Sequence, residues 1–240
     1  MKKRLLARKL LNTFAPNTPF VLKFSKISGL RISFGSKAAR ERAKIWTSDS
    51  HYKPDMYSRL DTDALLLLNE VESATHKSDK ILDICCNTGR HINYLTQRCY
   101  SNVHGFDIMK PAIEGMPKIF PAIDTSKVLL GNAIDVIPAY ADSSFDWAYT
   151  HTATIELIHP SFNIYGHLKR ILTKGFIFLI NENGHSYPRF YTYLAEKSGF
   201  RLYKRIELGH GISVTTWVKT DYFEKFLSLQ RQLISNPKQN

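Results

Sequence analysis

Lys80-Ile-Leu-Asp-Ile-Cys-Cys-Asn-Thr-Gly-Arg-His-Ile-Asn-Tyr94 decides how the rest of the chain is read. It opens on an apolar run, Ile81 to Ile84, broken by one acid, Asp83. A short turn follows, Cys85 to Gly89, and apolar residues then return at helical spacing, at Ile92, Leu95 and Cys99. Strand, tight turn and helix in that order form the arrangement that holds a nucleotide-like ligand at a helix N-terminus. An acid at the carboxyl end of the strand does not suit a phosphate. It suits a ligand group that is positive or that donates a hydrogen bond. The plain alternative is an ordinary strand-to-helix connection carrying a chance Asp, and the segments downstream argue against it.

From Lys80 onward the pattern alternates between strand and helix. Strands are predicted over 80–85, 102–106, 127–130, 144–150 and 175–181. Helices are predicted over 88–99, 110–118, 161–172 and 188–198. The end differs: Phe200 to Glu207 and Ile212 to Val218 both read as strands joined by Leu208-Gly-His-Gly211, an antiparallel pair. A last helix spans 221–233, and another, over 57–76, precedes the core with Leu60, Ala64, Leu67, Leu68 and Val71 on one face. Alternation of this kind implies a parallel sheet with right-handed crossovers. The expected fold is α/β and Rossmann-like: a doubly wound, mostly parallel seven-stranded sheet with a C-terminal antiparallel hairpin and a helical N-terminal extension. Such sheets bind ligands at the carboxyl ends of their strands.

The informative residues follow strands. Asp107 ends the second strand, where a carboxylate with two acceptor oxygens suits the two hydroxyls of a ribose; capping the next helix is its structural alternative. Gly131-Asn-Ala133 ends the third strand, where an amide side chain and a backbone N–H suit the edge of an adenine, or simply make a turn. The turn after Asp83 has no Lys and is neither Gly-x-Gly-x-x-Gly nor a P-loop. A nucleoside with a cationic tail and no phosphate fits this set.

At this point the chain resembles the class I methyltransferases that use S-adenosylmethionine. Asp83-Ile-Cys-Cys-Asn-Thr-Gly89 is similar to their Asp-x-Gly-x-Gly-x-Gly motif, Asp107 to their ribose-binding acid, and Gly131-Asn-Ala133 to a segment that contacts adenine. Ser144-Phe-Asp-Trp-Ala-Tyr-Thr150 resembles their fourth strand, and Leu168 to Gly175 the helix and turn before the fifth. The resemblance covers residues 57 to 218. It implies S-adenosyl-L-methionine as cofactor, held by Asp83, Cys85, Asn87, Gly89, Arg90, Asp107, Ile108, Asn132, Ala133 and Thr150. Cys85 and Asn87 depart from the motif, standing where it has glycine to reach positive φ; Asn tolerates that region better than most residues. A narrower likeness runs through Cys86 to Leu95, Glu156-Leu-Ile-His-Pro160 and Ser186-Tyr-Pro-Arg-Phe190. These resemble a bacterial group of small methyltransferases associated with cell-surface polysaccharide or lipopolysaccharide synthesis, which implies a sugar or lipid-linked sugar acceptor.

A methyl group on a sulfonium is already activated, so such an enzyme chiefly positions its reactants. A hydroxyl acceptor also gains from a general base. The candidates follow the fourth strand: His151, Glu156 and His159. Glu156 and His159 are three apart, on one face of a local helix, and orienting the pocket or capping the next helix is the alternative role for both. Arg90 and His91 are placed to face the ligand's carboxylate, and Tyr57 and Arg59 to close over the pocket. No metal-ligand spacing is present, so no metal is expected.

The net charge of the 240 residues is +12, and residues 1–40 hold ten cations and no acid, which leaves +2 for the rest. The basic character therefore belongs to an extension, taken as residues 1–50, and not to the methyltransferase-like domain, taken as 51–240. That distribution argues against nucleic acid as the partner, since a nucleic-acid-binding domain carries its basic stripe on the folded body. Residues 1–12 read as a basic amphipathic helix with Leu6/Leu10 and Ala7/Leu11 at i, i+4. It suits an anionic membrane surface, a targeting presequence, or packing on the domain with a solvated charged face. No apolar run approaches the ~20 residues of a membrane span, and three cysteines without a pairing pattern read as reduced thiols. The expected place of action is the cytoplasm, with peripheral contact at the inner membrane face through residues 1–12. The expected reaction is methyl transfer to a hydroxyl or amine of a sugar, lipid-linked sugar or small metabolite. A nucleic-acid methyltransferase using the basic arm, a degenerate binding protein and a dehydrogenase are the alternatives. No Asn/Asp-Pro-Pro-Tyr/Phe or Pro-Cys follows the fourth strand, which disfavours chemistry on nucleobases.

Overall fold

Seven strands of the computed structural model form one sheet. They are β1 (Ile81–Ile84), β2 (Val103–Asp107), β3 (Val128–Leu130), β4 (Phe145–Thr150), β5 (Leu172–Asn181), β6 (Phe200–Gly209) and β7 (Ile212–Lys219). The structure describes residues 2–14, 47, 54–151, 155–183 and 187–235. The strand order is β3-β2-β1-β4-β5-β7-β6. β1 to β5 pair in parallel, and β7 runs antiparallel to both β5 and β6. The chain winds outward through β2 and β3, then returns to the other side of β1 with β4. The reversal lies between β1 and β4, where open α/β sheets form their ligand crevice.

Helices among the described residues are α1 (Lys2–Phe14), α2 (Pro54–Tyr57), α3 (Thr62–Ala74), α4 (Arg90–Thr96), α5 (Lys110–Ile119), α6 (Ala133–Ala139), α7 (Ile164–Ile171), α8 (Tyr191–Lys197) and α9 (Phe223–Ser235). They cover both faces, so the central strands are apolar on both sides and read as continuous runs. Along β5, Ile177 and Leu179 join one core while Phe176, Phe178 and Ile180 join the other. Along β1, Ile81 faces the core shared with α3, α4 and α5, and Leu82 and Ile84 face that of α6, α7 and α8. Period-two alternation places Asp83 on the same side as Ile81, and with it Tyr149 of β4. That is the face on which α4 leaves the turn.

The differences from the sequence reading have local causes. The helix expected over 57–76 begins at Thr62, because Asp61 caps it, its carboxylate accepting the Ala64 N–H at 2.7 Å. β5 begins at Leu172, directly after α7. Thr173 donates to Asp146 at 2.8 Å and Lys174 pairs with Asp79 at 2.5 Å, which gives two polar residues partners inside a strand. α6 was not expected. It is short and carries Pro138, and Asn132 starts it by accepting the Ile134 N–H at 3.2 Å. The sequence also suggests a short helix near Ser36 to Trp46; that stretch lies outside the described residues, as does nearly all of 15–53. No helix among the described residues is long and apolar enough to cross a membrane.

Candidate functional site

The turn between β1 and α4 keeps the backbone of a glycine-rich loop without most of its glycines. Cys85, Asn87 and Gly89 have φ of 61°, 49° and 83°. Those are the three positions at which the motif expects glycine. At Gly89 a side chain has neither the conformation nor the room: a Cβ would lie 2.8 Å from Ile123 Cδ1 and 2.9 Å from Met116 Sδ. Asn87 is held from two sides. Its N–H donates to Asp107 Oδ2 at 2.9 Å, and its side-chain oxygen accepts the Thr88 N–H at 2.8 Å. Thr88 in turn donates its hydroxyl to the Tyr57 carbonyl at 2.6 Å.

Asp83 lies at the base of the turn and is 1% exposed. Register places Tyr149 beside it across β1 and β4, and the Tyr149 hydroxyl donates to Asp83 Oδ2 at 3.0 Å. Burial pushes the Asp83 carboxyl from 3.8 up to about 8; the Tyr149 hydroxyl opposes the rise, Asp107 adds to it and Arg90 opposes it. His91 Nδ1 is 3.8 Å from the same oxygen. That contact is not an ion pair, because burial, with Arg90 and His151 nearby, holds the imidazole well below the usual histidine range. His91 Nε2 is buried with no hydrogen-bond partner among the described residues. Its ring lies 5.4 Å from that of His151, which follows β4.

Asp107, at the end of β2, is buried and braces the turn from below. Its Oδ2 accepts from Asn87 and its Oδ1 from the Met109 N–H at 2.8 Å. Burial raises its pKa, against hydrogen bonds from the Met109, Asn87 and Ile108 backbone. Three backbone donors do not exhaust the roughly four lone pairs of a carboxylate, which leaves room for a further donor. Ile108 is half-buried beside it, Asn132 is half-buried at the end of β3, and Ala133 is buried. Leu129 and Leu130 add an exposed apolar edge to that end of the sheet. Thr150 donates its hydroxyl to the Ile84 carbonyl at 2.8 Å, tying the ends of β4 and β1 together.

Beyond β4 the three acid–base candidates separate. His151 stays with the turn: Nε2 is 3.7 Å from Asp61 Oδ1, and Arg90 reaches Asp61 Oδ2 at 3.6 Å and the Arg59 carbonyl. Burial and Arg90 lower the His151 pKa, against Asp61 and Asp63. Glu156 and His159 are both 1% exposed and lie in the following loop. Glu156 Oε1 accepts the Asn181 N–H at 2.6 Å at the end of β5, and His159 Nδ1 bonds the Ser161 hydroxyl at 2.7 Å. Arg189, 2% exposed, donates to the Ile155 carbonyl at 2.7 Å and to the Ile158 carbonyl at 2.5 Å. The loop is thus built on one buried guanidinium and one buried carboxylate.

Residues 81–175 match the profile of the family described as a methyltransferase domain. Over that stretch the chain has a methyltransferase domain, and S-adenosylmethionine is the cofactor of that family. No curated protein matches the sequence significantly. Among solved structures, a TehB-like S-adenosylmethionine-dependent methyltransferase from Corynebacterium glutamicum superposes with a TM-score of 0.55 at 16% identity, over 77% of this chain and all (100%) of that one. WbdD, solved with a kinase inhibitor, gives 0.56 at 16% identity over 76% of this chain and 47% of its own. A methyltransferase bound to its Trm112 activator from Haloferax volcanii gives 0.55 at 15%, over 74% and 97%. At these identities the likeness is one of fold.

Within the methyltransferase domain, two observations bear on whether the cofactor fits. The alternating left-handed residues bring backbone, not side chains, to the ligand side of the turn. And Asp83, His91 Nε2 and Asp107 are buried polar groups around that turn, the His91 nitrogen without a hydrogen-bond partner among the described residues. Sequence reasoning gave Tyr149 and Asp61 no place in the site, reading Asp61 only as an acid favoured by the dipole at the start of the helix over 57–76. Asp61 was visible as an acid just before an amphipathic run, a helix-capping signal. Tyr149 gave none, because its pairing with Asp83 spans 66 positions and depends on register.

Proposed function

We propose that this methyltransferase moves a methyl group from S-adenosylmethionine to a hydroxyl, or an amine, of a sugar, lipid-linked sugar or small metabolite. The observation that carries the reading is His151: a half-buried imidazole kept neutral at neutral pH, at the carboxyl end of β4 and beside the motif turn. A neutral imidazole at the methyl end accepts a hydroxyl proton as the new bond forms, and Asp61 steadies the imidazolium that results. When bound, the cofactor supplies an electrophilic methyl on a sulfonium.

The chain's residues divide the remaining work. Asp83 would take the cationic amino group of the methionine tail, and Arg90 its carboxylate in exchange for Asp61. Asp107 would receive the ribose hydroxyls. Ile108, Asn132 and Ala133 would meet the adenine, while Cys85, Asn87 and Gly89 keep the backbone close and Thr150 holds the two central strands in register. Glu156 and His159, committed to backbone and to Ser161, act by shaping the acceptor loop; Arg189 completes it. We place the protein in the cytoplasm, with residues 1–12 as its contact with the inner membrane face.

Calorimetry with S-adenosylhomocysteine, followed by transfer of labelled methyl to fractions of a cell extract, tests the reading. Micromolar binding and a labelled small or glycan-bearing product support it. Absence of cofactor binding would refute it outright, and label in nucleic acid would refute the acceptor class.

A further inference from the structure

α1 is docked on the domain the wrong way round for an ordinary surface helix. Among its described side chains the one that is buried is polar: Asn12, 4% exposed, donates to the Pro188 carbonyl at 3.0 Å. Beside it the Thr13 hydroxyl accepts the Phe190 N–H at 3.1 Å. Lys9 pairs with Glu182 at 3.4 Å and lies over the Phe190 ring. Leu6, Leu10 and Phe14 recur at i, i+4, i+8 and face outward, 51%, 45% and 56% exposed. A helix that packed for the sake of the domain core would bury those three residues first.

The outward stripe continues onto α8. The Phe14 ring lies 5.1 Å from that of Tyr193, itself 40% exposed, and Lys197 stands over Tyr193 at 5.8 Å. The charge on the helix has one sign: its described side chains include Lys3, Arg8 and Lys9, and its sequence holds no acid. The nearest acid in the docking contacts, Glu182, is shared between Lys9 and Arg205. An apolar stripe with an aromatic end, on a helix bearing only cations, is what an anionic lipid surface takes up.

We propose that the outer stripe of α1 together with Tyr193 and Lys197 of α8 is one membrane-docking surface for an anionic bilayer. Its position sets the substrate class. α1 grips residues 182, 188 and 190, which follow the carboxyl end of β5. Between two of them Arg189 holds the loop after His151. The docked surface therefore lies at the carboxyl end of the sheet, and the acceptor is a sugar carried on a lipid. This last step rests on the methyltransferase reading above; the surface does not.

Sedimentation of the full chain with phosphatidylcholine vesicles, with and without phosphatidylglycerol, tests the surface. Binding is expected only with phosphatidylglycerol. Leu6→Ser with Leu10→Ser should weaken it by about tenfold or more, and Tyr193→Ser by about fivefold, although residue 193 lies outside the basic helix. S-adenosylhomocysteine affinity of these variants should equal that of wild type. No wild-type binding overturns the proposal, as does binding to nucleic acid in its place, or a stripe shown to be covered by a second copy. A Tyr193→Ser variant that binds like wild type overturns the composite surface. Vesicle binding without cofactor binding would uphold the surface and refute only the function. Given cofactor binding, labelled methyl should appear in a bacterial lipid extract reconstituted in the same vesicles; label confined to water-soluble glycans overturns the lipid-linked acceptor.

Discussion

Asp83→Asn should make the ligand-free protein more stable at neutral and alkaline pH, and should do so by an amount that depends on pH. Burial holds the Asp83 carboxyl at about 8, against 3.8 for an ordinary aspartate. Each unit of that difference is worth ~1.4 kcal/mol. At pH 7 the unfolded chain carries the ionised form and the folded chain the protonated one, which costs the fold on the order of 4 kcal/mol. Between the two values the native state binds the extra proton, so stability from this group falls as pH rises from near 4 to about 8 and is flat outside that window. Asparagine cannot ionise and still accepts from Tyr149 at its 3.0 Å distance. Its amide brings donors that cost about 1–3 kcal/mol where they lack partners. The net gain should be about 2–4 kcal/mol near pH 8 and should shrink to about zero near pH 5. Urea unfolding of both proteins across that range measures the gap, and the other carboxylates cancel in the difference. A gap that does not move with pH would refute the reasoning, since Asp83 would then be ionised in the empty site. The same linkage has a second reading. Binding of a cationic amino group should drive Asp83 to ionise, so wild type should release close to one proton per S-adenosylmethionine at neutral pH and the variant none, as measured by calorimetry in buffers of different ionisation heat.

Asp107→Ala should weaken S-adenosylhomocysteine binding by about 100-fold, two charge-assisted hydrogen bonds being worth about 1.5–3 kcal/mol each; unchanged affinity would move the ribose elsewhere. Cys85→Gly should raise stability by about 0.5–1 kcal/mol, and Cys85→Val should lower it by about 2 kcal/mol, because φ of 61° strains any side chain and a β-branched one most; urea midpoints decide. His151→Ala should lower the methyl-transfer rate by about 100-fold or more with cofactor affinity intact. In wild type the rate should hold as pH falls through 6.5 and drop only below it, because the lowered pKa keeps the base form present there. Arg189→Met should cost about 3 kcal/mol, by stripping partners from the buried Ile155 and Ile158 carbonyls. It should also lower kcat without altering cofactor affinity; equal loss of both would place Arg189 at the cofactor.

The fold was legible because its signal is local and repeated. Five apolar runs alternate with amphipathic segments, and the parallel order follows from that alternation together with right-handed crossovers. The C-terminal pair was readable from Leu208-Gly-His-Gly211, whose His210, Gly209 and Gly211 all take positive φ. What escaped was whatever depended on distance along the chain. β5 gained three residues because Asp79 and Asp146 sit opposite Thr173 and Lys174. α6 was hidden by Pro138 and a length of seven residues. The acids at Asp83 and Asp107 were readable from their place after strands, but the partners that tune them were not. Tyr149 reaches Asp83 only through the register of β1 on β4. His91, Asp61 and Arg90 converge only once α3 folds back over the turn. At the N-terminus the i, i+4 pattern predicted the helix correctly and left open which side it would present. The pattern records that Leu6 and Leu10 share a face; only the polar grip of Asn12 and Thr13 decides that this face points outward.

Cys85 and Asn87 bear on whether the domain has kept its purpose. Two non-glycine residues of the turn are held at φ of 61° and 49°. An L-residue in that region costs about 1–2 kcal/mol, less for Asn, and a relaxed strand-to-helix connection avoids the cost. The surroundings over-determine the geometry instead. Asn87 is pinned by Asp107 and by its own bond to Thr88, Thr88 is pinned to the Tyr57 carbonyl, and Gly89 is walled in by Ile123 and Met116. Strain sustained in this way belongs to sites that are pre-organised for a ligand. Glycine in the motif is one means of reaching a backbone path, and this chain reaches the same path with side chains held in place by Asp107 of β2 and the Tyr57 carbonyl of α2. Asp107 is the clearest instance, because it cannot be removed without also releasing the turn. Cofactor affinity and turn stability should therefore fall together in Asp107→Ala and separate in Cys85→Gly, where the strain is relieved and the path is kept.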